Sequence, residues 1–402
     1  MSAPPGTRGL LAAADPSLAT HLATHGPLPG RVDLVALAER AGLAGCGGAG
    51  FPTARKLRAV TDAARAAGTA PVVVGNGSEG EPAAFKDAVL LSRAPHLVAE
   101  GLQLAAAAVG ADSVVLAVGP GHAGEVGRQL AGRPDRLPIR VVPVAEHFLA
   151  GEETALVSAV DGGLPLPRGK VPPVWQRGVH GRPTLVHNVE TLARMALLAR
   201  GDRSAAGRTL VTRHTGTVDV AEVPLGARLG DVLPVQAGVQ AVLVGGYHGS
   251  WLPAAVAADV RLDRDGLASV GASLGAGVLA ALPADRCGVR ETARVLGYLA
   301  ASSAGQCGPC LNGLPRIAAA LGLLARPGGP PAARTRLLED VGRWAGLVLG
   351  RGACAHPDGT VRLVASALRV FGGELAAHAA GRCTGAPATP AFLPVPTVGV
   401  AA

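Results

Sequence analysis

The chain has 402 residues, more than one ordinary domain holds and enough for two or three. Apolar residues make up 49% and charged residues 16%, which excludes a disordered chain; with aromatics at 2%, small aliphatic side chains must build the core. The formal charge of +8 comes from scattered arginines without a block of like charge, so no nucleic-acid role is expected.

The chain start has no cationic region leading into an apolar run. The most apolar stretch, 101 to 119, is broken by Gln103, Asp112 and Ser113. Neither a secretory signal nor a membrane span is expected, and the expected location is cytoplasmic. Six irregularly spaced cysteines fit metal or redox chemistry better than a disulfide framework.

In chain order, residues 1 to 30 carry Pro4, Pro5, Pro27 and Pro29 with little periodicity and read as a flexible arm. Over 31 to 204, β-branched runs (PVVVGN, DSVVLAVG, IRVVPVA) alternate with Ala/Leu-rich helical stretches, the pattern of an α/β domain with a mainly parallel, Rossmann-like sheet. Short glycine-punctuated strands mark 205 to 285 as a small β-rich domain. From 286 to 385, four stretches with apolar residues three and four apart predict a helical bundle. Residues 386 to 402 read as a Pro-rich tail.

Three polar stretches interrupt the α/β domain. The first is Gly45-Cys46-Gly47-Gly48-Ala49-Gly50-Phe51-Pro52-Thr53 with Lys56 beyond it. Dense glycine lets backbone approach a phosphate or flat ring, although such a run also makes a simple tight loop. The second, Gly75-Asn76-Gly77-Ser78-Glu79-Gly80-Glu81-Pro82 followed by Lys86-Asp87, ends a strand where α/β sheets bind ligands, or is a solvated acidic turn. The third is Gly151-Glu152-Glu153-Thr154, with Lys170, Gly181-Arg182-Pro183-Thr184 and Asn188-Val189-Glu190-Thr191 downstream; each piece also suits a capped helix start.

In order and spelling these stretches resemble the NADH-oxidising flavoprotein subunit of respiratory complex I and of related hydrogenases and formate dehydrogenases, over roughly residues 40 to 383. That family reads G-R-G-G-A-G-F-P-T-G with a following lysine, N-A-D-E-x-E-P-G-T with K-D, G-E-E-T-A, and G-x-P-T with N-N-V-E-T. The resemblance implies an FMN-binding α/β domain, a β-grasp domain of the SLBB type and a C-terminal helical iron–sulfur domain. It implies FMN or NADH contacts at Gly47, Gly48, Gly50, Phe51, Lys56, Asn76, Ser78, Glu79, Glu81, Phe148, Gly151, Glu152, Glu153, Lys170, His187 and Asn188, with Phe51 toward the NADH adenine. Glu81, Glu152 and Glu153 would be the catalytic carboxylates, NADH the donor, and an iron–sulfur protein or ferredoxin the partner, with peripheral attachment to a membrane complex.

Several positions depart from the family. Cys46 replaces an arginine, Ser78 an aspartate, Phe148 a tyrosine and His187 an asparagine. Two aromatic positions associated with NADH are Ala59 and Pro173, with Trp175 near the second. The lost aromatics leave two alternatives open: an FMN electron-transfer module that no longer uses NADH, and a scaffold without cofactors.

The segment Ser303-Ala304-Gly305-Gln306-Cys307-Gly308-Pro309-Cys310 resembles the family's E-S-C-G-x-C-x-P-C, with Ala304 in place of the first cysteine and Cys354 matching the distant ligand. The resemblance implies a [4Fe–4S] cluster on Cys307, Cys310 and Cys354, with His356 as a substitute fourth ligand. A reversible disulfide, zinc and inert thiols are the alternatives, and Cys46, Cys287 and Cys383 are expected to ligate nothing.

Overall fold

The Val72-Val73-Val74 run is buried on both faces, as a strand in the middle of a covered parallel sheet must be. In the computed structural model, which describes residues 9–169, 171–235, 238–385 and 391–396, this run forms β1 (Val72–Gly77). The chain divides into two units: one contains the described residues of Met1–Gly80 with Phe85–Leu210 and Val220–Pro224, the other Glu81–Ala84, Val211–Asp219 and the described residues of Leu225–Ala402.

The first unit holds α1 (Leu18–His25), α2 (Leu34–Arg40), α3 (Thr53–Ala67), β1, α4 (Lys86–Arg93), α5 (Pro95–Val109), β2 (Ser113–Val118), α6 (Pro120–Leu130), β3 (Ile139–Pro143), α7 (Glu153–Val160), β4 (Thr184–Asn188) and α8 (Val189–Ala199). Its sheet has the order β3-β2-β1-β4 and every pairing is parallel. Alternation along β1 sends Val73 into one core with Leu97, Leu102 and Leu192, and Val72 and Val74 into another with Leu156 and Val157. Helices therefore cover both faces. The chain leaves β1 toward β2 on one side and returns as β4 on the other, so the direction of winding switches between β1 and β4.

Residues 18–25, expected within a flexible arm, instead form α1. Ser17 caps it by accepting from the Thr20 amide, and buried His21 meets Glu100 at 2.9 Å, which also pairs with Arg200 at 2.7 Å. Eight residues show too little periodicity to declare this anchor, which depends on partners about 80 and 180 positions away.

The second sheet has the order β6-β5-β9-β7-β8, built from β5 (Arg208–His214), β6 (Val218–Pro224), β7 (Val239–Val244), β8 (Ser250–Pro253) and β9 (Val278–Pro283). It mixes a parallel β5–β9 pair with antiparallel β7–β9 and β7–β8 pairs. The short helices α9 (Leu229–Val232), α10 (Ala254–Ala257) and α11 (Arg264–Ser269) link its strands.

Then come α12 (Gly288–Ala301), α13 (Leu314–Leu324), α14 (Pro331–Val348), α15 (His356–Val370) and α16 (Gly372–Ala379), with Leu296, Ile317, Leu321, Val341, Val348 and Val364 packed in one core. The last predicted helix is split at Phe371 by Gly372-Gly373. Within the expected tail, Leu393 is buried and the amides of Phe392 and Leu393 donate to Glu291. Among the described residues no helix is long and apolar enough to cross a membrane.

Candidate functional site

Open α/β sheets bind ligands beyond the carboxyl ends of their strands where the winding switches, here beyond β1 and β4. Asn76 and Asn188 are register partners at those two ends. The Asn76 amide group donates to the Gly151 carbonyl at 2.9 Å, and its oxygen accepts from the Ser78 amide at 3.1 Å, which gathers the end of β1 and the start of α7. Gly151 is required there: a Cβ would stand 2.8 Å from the Ser78 carbonyl oxygen. At Gly80 a Cβ would stand 2.6 Å from the carbonyl oxygens of His147 and Phe148. These close approaches explain two of the glycines in the motif spellings.

The glycine loop approaches the same strand ends, since a Cβ on Gly47 would stand 3.5 Å from Asn188 Cβ. The Gly45 amide donates to the Phe51 carbonyl and the Thr53 amide to that of Leu43, which closes the loop at its base, while Gly48 and Gly50 take positive φ at its exposed tip. The Cys46 amide is held by Thr191 Oγ1 at 2.9 Å. Burial pushes the Cys46 thiol up to about 12, so a neutral group stands where the family has an arginine. The Phe51 ring is exposed, with the Arg55 guanidinium 5.4 Å from its centre. Thr53 begins α3, is fully buried, and its Oγ1 has no hydrogen-bond partner.

Lys56, one turn further, meets Glu153 at 3.2 Å. His187, next to Asn188, is buried; burial and then the charge of Lys56 depress its pKa to about 3, and its Nε2 has no partner. Buried polar atoms are normally satisfied by protein groups or by water, and Thr53 Oγ1 and His187 Nε2 are among the described buried atoms without a protein partner. Beside α7, a hollow of about 320 Å³ is lined by Thr154, Arg168, Val171, Pro172 and Arg177 among others.

Other expected site residues have structural work. The Glu152 carboxylate caps α7, accepting from the Thr154 and Ala155 amides. Glu79 accepts from the Asp87 and Ala88 amides at the start of α4. Asn188 caps α8 and donates to Asp87 at 2.6 Å. Glu81 belongs to the second unit, where its Oε2 accepts from the Tyr247 amide at 2.9 Å. Lys170 lies outside the described residues.

Lys86, Asp87 and Glu190, all within the motif stretches, form a buried charge network with Arg194. Buried Lys86 reaches Asp87 at 2.7 Å and Glu190 at 3.1 Å, and Glu190 also pairs with buried Arg194 at 2.7 Å. Burial opposes the Lys86 ammonium, but Asp87 and Glu190 outweigh it and hold its pKa above the usual lysine range. Only Arg194 lies outside the motif stretches, and its one signal in the sequence is a charge inside otherwise apolar helical text.

In the second unit the cysteine turn follows α12, not a strand. A one-turn π-helix, Pro309–Gly313, follows Cys307, a feature frequent at functional sites. Cys310 and Cys354 are buried and Cys307 is partly exposed. Burial, then hydrogen bonding and charge from Cys307 and the charge of Cys354, push the Cys310 thiol up to about 11. At Cys307 burial is outweighed by hydrogen bonds from the Ala353 and Cys310 amides, and the thiol lies below its usual range. The fold thus gathers three of the expected thiols in one neighbourhood. His356 is committed elsewhere: its Nδ1 meets His248 Nε2 and its Nε2 meets the Leu299 carbonyl, each at 2.9 Å.

A parallel α/β unit of the ligand-binding kind, with a cysteine-bearing helical segment in the second unit, is the class that this fold and these sites define. Residues 38–196 match the Nuo51 FMN-binding domain, and residues 290–378 match the NADH-ubiquinone oxidoreductase-F iron–sulfur binding region. The second of the NADH-quinone oxidoreductase F subunits of Rhizobium meliloti is 29% identical over 380 residues, covering 86% of this chain and 88% of that protein. The NADH-quinone oxidoreductase F subunit of Escherichia coli is 28% identical, covering 86% and 84%. The NAD+-reducing [NiFe]-hydrogenase in its H2-reduced state matches with a TM-score of 0.74 and 27% identity over 89% of this chain, which spans 64% of the hydrogenase chain. Over most of its length the chain is similar to NADH-quinone oxidoreductase F subunits, and its two matched regions are an FMN-binding domain and an iron–sulfur binding region of that kind.

Proposed function

We propose that this chain is an NADH:acceptor oxidoreductase subunit that binds FMN beyond the carboxyl ends of β1 and β4 and passes electrons to a [4Fe–4S] cluster on Cys307, Cys310 and Cys354. The observation that carries the reading is the crevice at the winding switch, with a glycine loop at its rim and Thr53 Oγ1 and His187 Nε2 buried without partners. These groups fit a phosphorylated ring: glycine backbone for close approach, a lysine for the phosphate, and neutral polar atoms inside. Bound FMN supplies the conversion of a two-electron hydride donor into single-electron outflow.

The protein's part is to bind and orient. Gly47, Gly48 and Gly50 let the main chain approach the cofactor closely, Lys56 offers a cation, and Asn76 and Ser78 line the ring side. His187 stays neutral at physiological pH, so it accepts or donates one hydrogen bond without adding charge. Glu153, Gly151, Phe148 and Lys170 complete the proposed set, and Glu152 acts by fixing the start of α7. At the cluster three thiols fit thiolate ligation, and with His356 committed the fourth position falls to solvent or an exogenous ligand.

On the same reading, residues 31–204 form the FMN- and NADH-binding domain, 205–285 the SLBB-type domain and 286–385 the iron–sulfur domain. An iron–sulfur protein or ferredoxin takes the electrons, in a complex at the cytoplasmic membrane surface. A second reading, an FMN module fed by a ferredoxin or membrane partner instead of NADH, is favoured by Ala59 and Pro173 at positions where the family carries aromatic rings. Stopped-flow mixing of NADH with the anaerobic, flavin-loaded chain separates the two. The first predicts bleaching of flavin absorbance, and bound flavin that does not bleach selects the second.

A further inference from the structure

We propose that Cys287, Glu374, His378 and Cys383 form a closed tetrahedral zinc site, separate from the three cysteines assigned to the cluster. One ligand atom from each residue lies within 4.8 Å of all the others. Cys287, Glu374 and His378 are 5%, 8% and 0% exposed and Cys383 is half-buried, so three of the four ligands are interior. Two thiols, an imidazole and a carboxylate are a ligand set suited to zinc, and four protein ligands with no open position describe a structural site. A four-iron cluster spreads its thiolates more widely than one ion does, which this arrangement is too tight to allow.

The Cys287–His378 edge has the spacing that a zinc ion requires. Zn–S of about 2.3 Å and Zn–N of about 2.05 Å at the tetrahedral angle place sulfur about 3.5 Å from nitrogen. Cys287 Sγ stands 3.5 Å from His378 Nε2. His378 Nδ1 lies 3.1 Å from the Leu324 carbonyl oxygen, which can only accept. That contact puts the proton on Nδ1 and turns the Nε2 lone pair toward Cys287 and toward Glu374 Oε1 at 2.9 Å. The histidine and carboxylate would part by about 0.4 Å to reach a tetrahedral edge.

The outer contacts are those of a prepared site. Thr384 donates to both Glu374 oxygens through its amide and hydroxyl, and the Arg290 amide donates to Cys287 Sγ at 3.3 Å. Local sequence builds the rest: Glu374 and His378 share one face of α16 at i and i+4, Cys383 lies four residues beyond the end of that helix, and Cys287 caps α12. At Gly385 a Cβ would stand 2.6 Å from the Cys287 amide nitrogen, so the returning chain is held close. An ion here would tie the start of α12, the helix that leads into the Cys307 turn, to the end of the helical segment.

The test counts zinc and iron in the same anaerobically purified full-length protein, made in zinc-supplemented medium, and records the zinc X-ray absorption edge. The expected result is one zinc per chain with two sulfur and two nitrogen or oxygen neighbours. Substituting both Cys287→Ser and Cys383→Ser should lower zinc by about tenfold or more while iron stays, and Cys307→Ser should lower iron while zinc stays. Failure of the flavin reading would leave these counts unchanged. Zinc absent from the wild type, zinc equal in the double variant, or a Cys287–Cys383 disulfide in place of the ion would overturn the proposal. If the double variant does not fold, cobalt-substituted wild type decides: thiolate-to-cobalt charge-transfer absorption is expected, and its absence overturns the site.

Discussion

Lys56 and Glu153 stand 3.2 Å apart with side chains 19% and 37% exposed, so their pair contributes at most about 1 kcal/mol to stability. A charge-assisted contact to a phosphate is worth more, about 1.5–3 kcal/mol. Lys56→Met should therefore leave the thermal midpoint nearly unchanged and raise the FMN dissociation constant by about tenfold or more, read by fluorescence titration. Unchanged FMN affinity would remove Lys56 from the site. Glu79 gives a pH signature: burial and then Asp87 raise its carboxyl to about 7 from the free side chain's 4.5. The folded chain then holds a proton that the unfolded chain has released. This contribution is whole below 4.5 and is lost as pH rises through about 7. The stability cost of Glu79→Gln should therefore shrink as pH rises across that window in urea titrations, and a pH-independent difference would contradict the assignment.

At the scale of elements, α5 and α8 meet so closely that a Cβ on Gly101 would lie 2.0 Å from the Leu192 carbonyl oxygen. Helix propensity alone favours Gly101→Ala by about 1 kcal/mol. Overpacking against backbone costs about 1–3 kcal/mol or more because two helices must separate. The packing term wins, so the variant should melt lower by calorimetry; a higher melting point would show that the helices yield. Much of this architecture was legible. The Val72-Val73-Val74 run predicts a covered parallel strand, and the glycine and acidic stretches fall at the carboxyl end of β1 and at the starts of α3 and α7. α1 was not legible, because eight residues carry little pattern and His21 finds Glu100 only in three dimensions. Nor was the meeting of Cys287 with Glu374, His378 and Cys383, whose proximity depends on the return of the helical segment.

Across the molecule, the site residues divide by how much the fold already asks of them. Glu152, Glu79 and Asn188 are caps or links in a buried network, so their substitution should cost stability before any cofactor is considered. Thr53 Oγ1, His187 Nε2 and the exposed loop tip have no comparable structural duty. They therefore carry the central claim, that this chain holds FMN at the winding switch of its parallel sheet. Titration of FMN into the anaerobically purified full-length chain, beside Gly151→Ala as the variant that crowds Ser78 at that crevice, tests it most directly. One FMN bound per chain by wild type, with affinity lost in the variant, is the predicted result. No binding by a folded wild-type chain, or equal binding by both, would contradict it.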